Sequence, residues 1–532
     1  MALLAGVGQA LALADPVSGQ PHGWLQVLTL TWLVWLLARP ARWRDAWALP
    51  EPAGGRRGRL GWRGFALGWL FALGWLGGTF WWLFVSMYRY GGLPAPLAVL
   101  AVLALAGALG LYYGLAAAVF SMLFPERGGM KLWRGALVFG ALWTLAELAR
   151  GSFFTGFPWG AGAYAHVDGV LDFLPRYVGA YGLGFVTAAL AAALALVLRM
   201  GWRGWQPWAV AAVVVAVAAA LAAGRLCALG ACGGPPAGAR ALMRVDLLQG
   251  NIAQDQKFVP GTGVEDSLDW YGRQLQAPGA PLVVAPETAL PLLPGELPAG
   301  YWDALQARYA QGNQAALLGV PLGNMRLGYT NSMVGFKPGQ DTPYRYDKHH
   351  LVPFGEFVPP FFRWFTRMMN IPLGDFARGA LVQPSFAWQG QRLAPNICYE
   401  DLFGEELAAR FADPATAPTV FVNASNIAWF GDTVAIDQHL AISRMRALEF
   451  ERPVLRATNT GATAIIDAWG RVTAQLPRGT RGVLHGQFEG RTALTPYARW
   501  AAAAGLWPMW GLCLLALAWA VTAAAIEQRK RR

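Results

Sequence analysis

Long apolar runs are the feature that most constrains the fold of this chain. Each run approaches the length of about 20 residues that a helix needs to cross the hydrocarbon core of a bilayer. Eight candidate runs lie near residues 1–14, 24–38, 62–88, 95–123, 133–150, 177–199, 207–226 and 503–526. Charged residues make up only 14% of the 532 residues, against roughly 25% in soluble proteins. We therefore expect a multi-helix membrane bundle of about eight transmembrane helices.

The first run resembles a signal peptide in one respect, because it ends in Ala12-Leu13-Ala14. No Lys or Arg precedes Arg39, however, and a secretory signal begins with a basic segment. We expect the run to be retained as a helix, while its cleavage stays open.

Basic residues concentrate in the short segments between the apolar runs. Seven arginines lie between Arg39 and Arg63, and the chain ends in Arg529-Lys530-Arg531-Arg532. The basic segments follow the second, fourth, sixth and eighth runs, so all fall on one side of the membrane. Because such segments mark the cytoplasmic side, we expect the block after the seventh run to lie outside the cytoplasm. The net charge of +12 then indicates membrane anchoring, and no nucleic-acid partner is expected.

Composition divides the chain into four parts. We expect a helical domain with seven transmembrane helices at 1–226, a Gly/Pro-rich linker at 227–240, a globular domain at 241–499, and a last helix with a basic tail at 500–532. Cys227 and Cys232 lie in the linker. They pair only if their side of the membrane is oxidising, so a disulfide stays open.

Short β-rich segments alternate with helical patterns in the globular domain. Strands are predicted at Val245–Leu248, Leu282–Ala285, Ala316–Val320, Arg392–Ile397 and Thr419–Asn423. Helices are predicted at Asp303–Gln311, Gly404–Phe411 and Ile436–Phe450. Such alternation is typical of an α/β layered domain.

Three predicted strands lead directly into reactive side chains, namely Glu287, Lys348 and Cys398. Loops at the carboxyl ends of strands bring together groups that are distant in sequence. A thiol attacks a carbonyl as thiolate, a carboxylate can accept its proton, and an ammonium can stabilise the oxyanion that forms. Taken singly, the carboxylate is equally well a helix-start acid, the lysine a surface charge and the cysteine a small buried side chain. Together they indicate nucleophilic catalysis by Cys398.

Motifs along nearly the whole chain carry a resemblance to a known family. They include Pro286-Glu287, Tyr346-Asp347-Lys348-His349-His350-Leu351-Val352-Pro353-Phe354-Gly355-Glu356, Ile397-Cys398-Tyr399-Glu400, Thr155-Gly156-Phe157-Pro158-Trp159 and Arg444-Met445-Arg446-Ala447-Leu448-Glu449. The chain thereby resembles the nitrilase (carbon–nitrogen hydrolase) superfamily and, more narrowly, bacterial apolipoprotein N-acyltransferases. The resemblance implies an α-β-β-α sandwich for 241–499, beside the transmembrane helices.

The resemblance also implies a reaction and its partners. An acyl chain would pass from a phospholipid, usually phosphatidylethanolamine, through a Cys398 thioester to the α-amine of a diacylated apolipoprotein. Glu287, Lys348 and Cys398 would form the triad, supported by Glu356, Tyr399 and Glu400. The enzyme would lie in the bacterial inner membrane with its catalytic domain on the periplasmic side, and no cofactor or metal is implied.

Substrate contacts are expected from polar and aromatic residues outside the triad. The candidates are Phe258, Trp159, Asn426, Trp429, Phe361 and Phe362. The last two belong to an aromatic segment, Phe354–Met369, which either packs in the core or dips into the bilayer to admit lipid. The chain departs from the family pattern at Phe258, where Trp is expected, and at Ile427, where Asp is expected. These two departures put substrate fit in doubt, not the type of reaction.

Other interpretations stay open. A membrane-tethered amidase or nitrilase would use the same triad, and a transporter or scaffold with a degenerate domain would use none of it. His439 is an alternative base for Cys398, less favoured than Glu287. The His349-His350 pair suggests a metal site only weakly, because adjacent strand residues point to opposite faces.

Overall fold

The structure is a computed structural model that describes residues 1–38, 55–123, 132–200, 238–324, 328–358 and 376–530, with isolated positions 219, 223 and 326. The chain forms two compact units. A helical unit contains residues 1–81, 99–227 and 506–532. A second unit contains residues 82–98 and 228–505, and we name it the catalytic unit because it contains the three residues of the expected triad. The predicted run 207–226, apart from positions 219 and 223, lies outside the residues that can be described. So do the pair Cys227 and Cys232, and Phe361 and Phe362.

Apolar helices make up the helical unit. They span Ala2–Leu13, Gly23–Leu37, Gly55–Phe80, Ala95–Leu123, Leu132–Ser152, Pro175–Met200 and Trp507–Lys530. In the described ranges, three helices are long and apolar enough to cross a membrane, or five if two bent pairs each count as one span. The first two helices have only 12 and 15 residues, which at about 1.5 Å per residue is less than the hydrocarbon thickness of about 30 Å. The expected eight spans are therefore not confirmed.

A buried arginine organises the loop that carries Trp159. Arg150, at the end of Leu132–Ser152, donates through Nη1 to the carbonyls of Phe157 at 2.6 Å and Trp159 at 2.7 Å. Its Nε donates to the Tyr113 hydroxyl at 2.9 Å. Inside an apolar bundle an ionised group needs such partners, and here they fix the loop after the helix.

Two six-stranded sheets form the centre of the catalytic unit. The first has the order β12-β1-β2-β3-β4-β5 and the second β11-β10-β9-β8-β7-β6. The strands are β1 Ala239–Gln249, β2 Leu282–Val284, β3 Ala315–Asn324, β4 Gly328–Phe336, β5 Tyr344–Asp347, β6 Phe386–Trp388, β7 Gln391–Ile397, β8 Val420–Ser425, β9 Val454–Thr458, β10 Ala464–Ile466, β11 Val472–Gln475 and β12 Gly482–Arg491. Strands β1, β2 and β3 run parallel, as do β7, β8 and β9. All five predicted strands are confirmed.

Helices cover the outer faces of both sheets. One apolar cluster, including Leu247, Val284, Ile397 and Val422, fills the space between the sheets. A second packs the first sheet against helices Gly263–Gln276 and Tyr301–Ala310. A third packs the second sheet against helices Gly404–Ala408, Ala435–Phe450 and Pro496–Ala504. The layers are thus α-β-β-α, as the resemblance implies.

The catalytic unit also contains residues Trp82–Ala98, which the sequence assigns to the helical domain. Trp82 donates to Gln438 Oε1 at 3.0 Å and packs on the Phe430 ring with centroids 4.2 Å apart. Tyr90 packs edge-on against Trp429. The boundary differs from the prediction because aromatic packing, which has no local sequence signature, joins this segment to the turn Ile427–Phe430.

Candidate active site

Strand direction explains why the three predicted triad residues converge. Glu287 follows β2, Lys348 follows β5 and Cys398 follows β7. Strand β5 is antiparallel to β4, which is antiparallel to β3, so β5 ends at the same edge of the first sheet as β2. The three side chains interact electrostatically with one another. The structure therefore brings the predicted triad together.

Lys348 lies between two carboxylates. Its Nζ is 2.9 Å from Glu356 Oε1 and 3.5 Å from Glu287 Oε1, and the lysine is only 1% exposed. Burial alone would lower the pKa of Lys348, but Glu356 and then Glu287 raise it above its ordinary value. The lysine is consequently a fixed cation, suited to stabilising negative charge on a reacting oxygen. Glu356 is thereby a direct partner of the predicted triad.

Glu287 is held at both carboxylate oxygens. Asn331 Nδ2 donates to Oε1 at 2.7 Å, and the backbone N–H of Asn426 donates to Oε2 at 2.8 Å. Asn331 Nδ2 also donates to Glu356 Oε1 at 2.8 Å. Gly319 on β3 allows this arrangement, because a Cβ there would lie 2.7 Å from the Glu287 Cα. These contacts fix the direction in which the carboxylate points.

Cys398 occupies a strained position directly after β7. Its φ of 52° is in the left-handed region, which costs a non-glycine residue about 1–3 kcal/mol. Burial and the neighbouring Glu287 raise the pKa of the thiol to about 12, while Lys348 opposes them. Ser425, a buried polar neighbour at the end of β8, also lowers the pKa of the thiol. The free thiolate is therefore scarce at neutral pH, and attack requires a base nearby.

Glu400 connects the loop of Lys348 to the turn of Cys398. It accepts from the Ile397 N–H at 2.6 Å and from the N–H groups of His349 at 2.7 Å and His350 at 3.2 Å. The Tyr346 hydroxyl donates to the same carboxylate at 2.9 Å. Burial raises the pKa of Glu400, and the backbone donors oppose that shift. Its contacts are those of an anchor for the candidate site.

Tyr399, His349 and His350 each contact other residues of the protein. Tyr399 is 3% exposed and packs edge-on against Phe403. His349 Nδ1 is 2.8 Å from the Gly379 carbonyl, and His350 Nδ1 is 2.9 Å from a Glu406 oxygen. The supporting role predicted for Tyr399 thus corresponds to packing beside the Cys398 turn.

The predicted substrate contacts are placed in different surroundings. Phe258 is 50% exposed and Trp429 is half-buried, so both remain accessible. Asn426 is buried, and its side chain donates to Gln254 Oε1 at 2.8 Å. Trp159 is buried in the helical unit, so its contact with lipid stays a prediction. Ile427, the second departure from the family pattern, is 1% exposed and points into the protein.

His439 is wrongly placed for the alternative role of base. Its Nε2 lies 3.2 Å from the backbone carbonyl of Cys398 and 3.0 Å from Asp401 Oδ1. Its Nδ1 faces Arg456 Nη2 at 2.8 Å. Both ring nitrogens are occupied by partners other than the thiol, so the Glu287 carboxylate is the better-placed base.

Sequence reasoning missed Asn331 and Lys257. Asn331 lies within Thr330-Asn331-Ser332 on the buried strand β4, and such a polar run on a buried strand is the signal that identifies it. Lys257 is 1% exposed and donates to the Glu287 carbonyl at 3.1 Å. Burial lowers the pKa of Lys257 to about 8, while Glu287 opposes the shift. No local pattern around Lys257 predicts this burial.

Comparison with known proteins identifies the families that the chain matches. Residues 244–497 match the carbon-nitrogen hydrolase family, and residues 5–194 match the apolipoprotein N-acyltransferase N-terminal domain. The chain is 58% identical over 541 residues to the apolipoprotein N-acyltransferase of Verminephrobacter eiseniae, covering 100% of this chain and 97% of that protein. The apolipoprotein N-acyltransferase of Ralstonia nicotianae is 43% identical over 503 residues, covering 94% and 89%. Among solved structures, Nit3 of Saccharomyces cerevisiae, of the nitrilase superfamily, covers 47% of this chain and 90% of its own at 14% identity, with a TM-score of 0.34.

Proposed function

The chain belongs to the apolipoprotein N-acyltransferase family, and from this premise we propose that Cys398 carries an acyl chain from a phospholipid to the amine of a lipoprotein. The observation that carries the assignment of roles is the Lys348 ammonium, held by Glu287 and Glu356 at the strand ends beside Cys398. This group of four supplies a nucleophile, a base and a fixed cation.

The first half-reaction forms the thioester. Cys398 Sγ attacks the ester carbonyl of the phospholipid while its proton moves to Glu287. Lys348 stabilises the oxyanion of the tetrahedral intermediate. The carbon–oxygen bond then breaks, and Glu287 passes the proton from the thiol to the leaving lysophospholipid oxygen. The acyl group stays on sulfur.

Charge balance favours this proton transfer over a resting thiolate. With Glu287 and Glu356 ionised and Lys348 protonated, the four groups carry a net charge of −1 while Cys398 is a thiol. A thiolate beside an ionised Glu287 is penalised, which is why Glu287 raises the pKa of Cys398. Moving the proton from sulfur to Glu287 keeps the net charge at −1 and removes that repulsion.

The second half-reaction consumes the thioester. The lipoprotein amine attacks the thioester carbonyl, and a proton from the amine passes to Glu287. Sulfur leaves and recovers that proton, so Cys398 returns to the thiol while an amide forms. Over both halves an ester and an amine become an alcohol and an amide, and no cofactor is needed for the balance.

We assign the donor as phosphatidylethanolamine and the acceptor as a diacylated N-terminal cysteine, in line with the family resemblance. The half-exposed Phe258 and the accessible Trp429 are the apolar side chains that we expect to contact these lipids. An assay with defined phospholipids and a diacylated lipopeptide tests both assignments. Equal rates with phosphatidylglycerol, or with an unacylated peptide, would overturn the corresponding one.

We further assign eight spans in the bacterial inner membrane, with the catalytic unit on the periplasmic side. Support comes from the basic segments, which all fall on one side under that count. A reporter fused after Arg532 should behave as cytoplasmic, and one inserted at 233–239 as exported. The opposite pair of results would refute this count.

Mass spectrometry of the purified protein distinguishes the transferase from its rivals. A long-chain acyl adduct on Cys398 after exposure to phospholipid, released by a diacylated lipopeptide, is the expected result. Turnover of small amides without an adduct would establish the membrane-tethered amidase instead. If the folded protein shows neither acyl transfer nor amide hydrolysis, the non-catalytic scaffold is the remaining interpretation.

A further inference from the structure

His439 contacts the nucleophile at its backbone carbonyl. Its helix, Ala435–Phe450, places the ring at 0% exposure against the turn Cys398–Leu402. The Cys398 carbonyl oxygen accepts a hydrogen bond from Asn423 Nδ2 at 3.2 Å, and His439 Nε2 lies at the same distance of 3.2 Å. Two side chains therefore hold the backbone of a residue whose φ of 52° is strained.

Arg456 determines which ring nitrogen of His439 carries the hydrogen. A guanidinium can only donate, so its Nη2, 2.8 Å away, requires His439 Nδ1 to accept. The hydrogen then lies on Nε2, which faces both the Cys398 carbonyl and Asp401 Oδ1. Burial and Arg456 lower the pKa of His439, which keeps the ring neutral.

Asp401 completes the link because it belongs to the same turn as Cys398. Its Oδ2 accepts from Ser443 Oγ at 2.6 Å and lies 3.7 Å from Arg456 Nη1. The Nε2–H of His439 is thus shared between the first residue of the turn, Cys398, and the fourth, Asp401. The helix that carries both His439 and Ser443 holds the turn in one shape.

We propose that His439 is a positioning residue, which keeps Cys398 in its left-handed backbone conformation so that the thiol points toward Glu287 and Lys348. It neither accepts the thiol proton nor touches the substrate. The roles of Cys398 and Glu287 rest on the proposed function, but the held conformation is a property of the resting protein. A soluble thiol reagent therefore tests it without any lipid.

The matched variants are His439→Gln and His439→Asn. A glutamine amide nitrogen can take the place of Nε2 and donate to the Cys398 carbonyl, whereas the shorter asparagine cannot reach it. Alkylation of Cys398 by iodoacetamide, located by peptide mass spectrometry, is measured across pH, with thioester formation from phospholipid in parallel. Thermal unfolding checks that each variant is folded.

We expect His439→Asn to slow both reactions by about tenfold or more, because the Cys398 carbonyl loses one of its two donors and its backbone is held less firmly. His439→Gln should stay within about threefold of the unchanged protein, and the pH midpoint of alkylation should be the same in all three. Equal loss in both variants, full activity in His439→Asn, or a displaced midpoint would overturn the proposal. If the unchanged protein is alkylated but forms no thioester, the proposed function fails while the positioning role stands.

If His439→Asn does not fold, Ser443→Ala tests the positioning role of His439 instead. It removes the hydroxyl that donates to Asp401 Oδ2 and accepts from Arg456 Nη1 at 2.8 Å, and it leaves the imidazole ring in place. A severalfold slower alkylation at an unchanged midpoint supports the proposal. An unchanged rate overturns it.

Discussion

Replacing the proposed base should make the nucleophile more acidic while it makes the enzyme slower. Glu287→Gln removes the neighbouring charge that contributes most to raising the pKa of Cys398, while Lys348 stays in place to lower it. In general, two unit charges about 5 Å apart at an effective dielectric of about 20 interact by about 3 kcal/mol, or about 2 pH units. The thiol pKa, raised to about 12 in the unchanged protein, should therefore fall in the variant.

Catalysis should move in the opposite direction. Without a carboxylate to take the thiol proton, thioester formation should fall by about 10²–10⁴-fold, the range of general-base contributions. Stability should fall as well. Glu287 accepts from Asn331 and Lys348 on one oxygen and from the Asn426 N–H on the other. A glutamine turns an NH₂ group toward one of these donors, at a cost of about 1–3 kcal/mol.

The assay pairs alkylation of Cys398 by iodoacetamide across pH with thioester formation from phospholipid, both followed by mass spectrometry. Glu265→Gln is the control, because it removes the same charge from an exposed position on helix Gly263–Gln276. An alkylation midpoint that stays or rises in Glu287→Gln would refute the electrostatic reasoning. Thioester formation at the normal rate would refute the role of Glu287 as base.

Three further predictions concern the nucleophile, the cation and the aromatic segment. Cys398→Ser should abolish transfer in folded protein, because a hydroxyl is far less acidic than a thiol. Near-normal activity would contradict the assignment of Cys398 as the nucleophile. Lys348→Ala should prevent thioester accumulation, because the oxyanion loses its cation; an acyl-enzyme that still accumulates at the normal rate would argue against that role. Replacing Phe361 and Phe362 by Asp should slow acylation by phospholipid more than by a short soluble ester, since each buried CH₂ contributes about 0.8 kcal/mol; equal loss with both would favour core packing.

The parts of the site that sequence could predict are those with a local signature. Glu287, Lys348 and Cys398 each follow a β-rich run, and the structure places each after a strand. Predicted helices also agree closely, for example Ile436–Phe450 with the observed Ala435–Phe450. Periodicity and strand ends are encoded within about ten residues of chain, so a single sequence is enough to find them.

The parts that sequence could not predict depend on contacts between distant residues. The N–H that fixes Glu287 belongs to the backbone of Asn426, 139 positions away, where no side-chain pattern marks it. His439 is a plausible base by residue type, and only its distance to the Cys398 carbonyl assigns it elsewhere. The count of eight membrane spans is not confirmed for another reason, because apolar composition does not reveal that a helix stops at 12 or 15 residues.

The place of Trp82–Ala98 in the catalytic unit has a consequence for biosynthesis. This segment leaves the ribosome about 130 residues before the rest of that unit begins at residue 228. At about 5–20 residues per second, the Trp82 ring waits on the order of ten seconds before translation of the rest of the unit begins, and longer for its partners Phe430 and Gln438. Separate expression of 228–505 would leave those two residues without Trp82, so the catalytic unit is complete only when the earlier segment is made in the same chain.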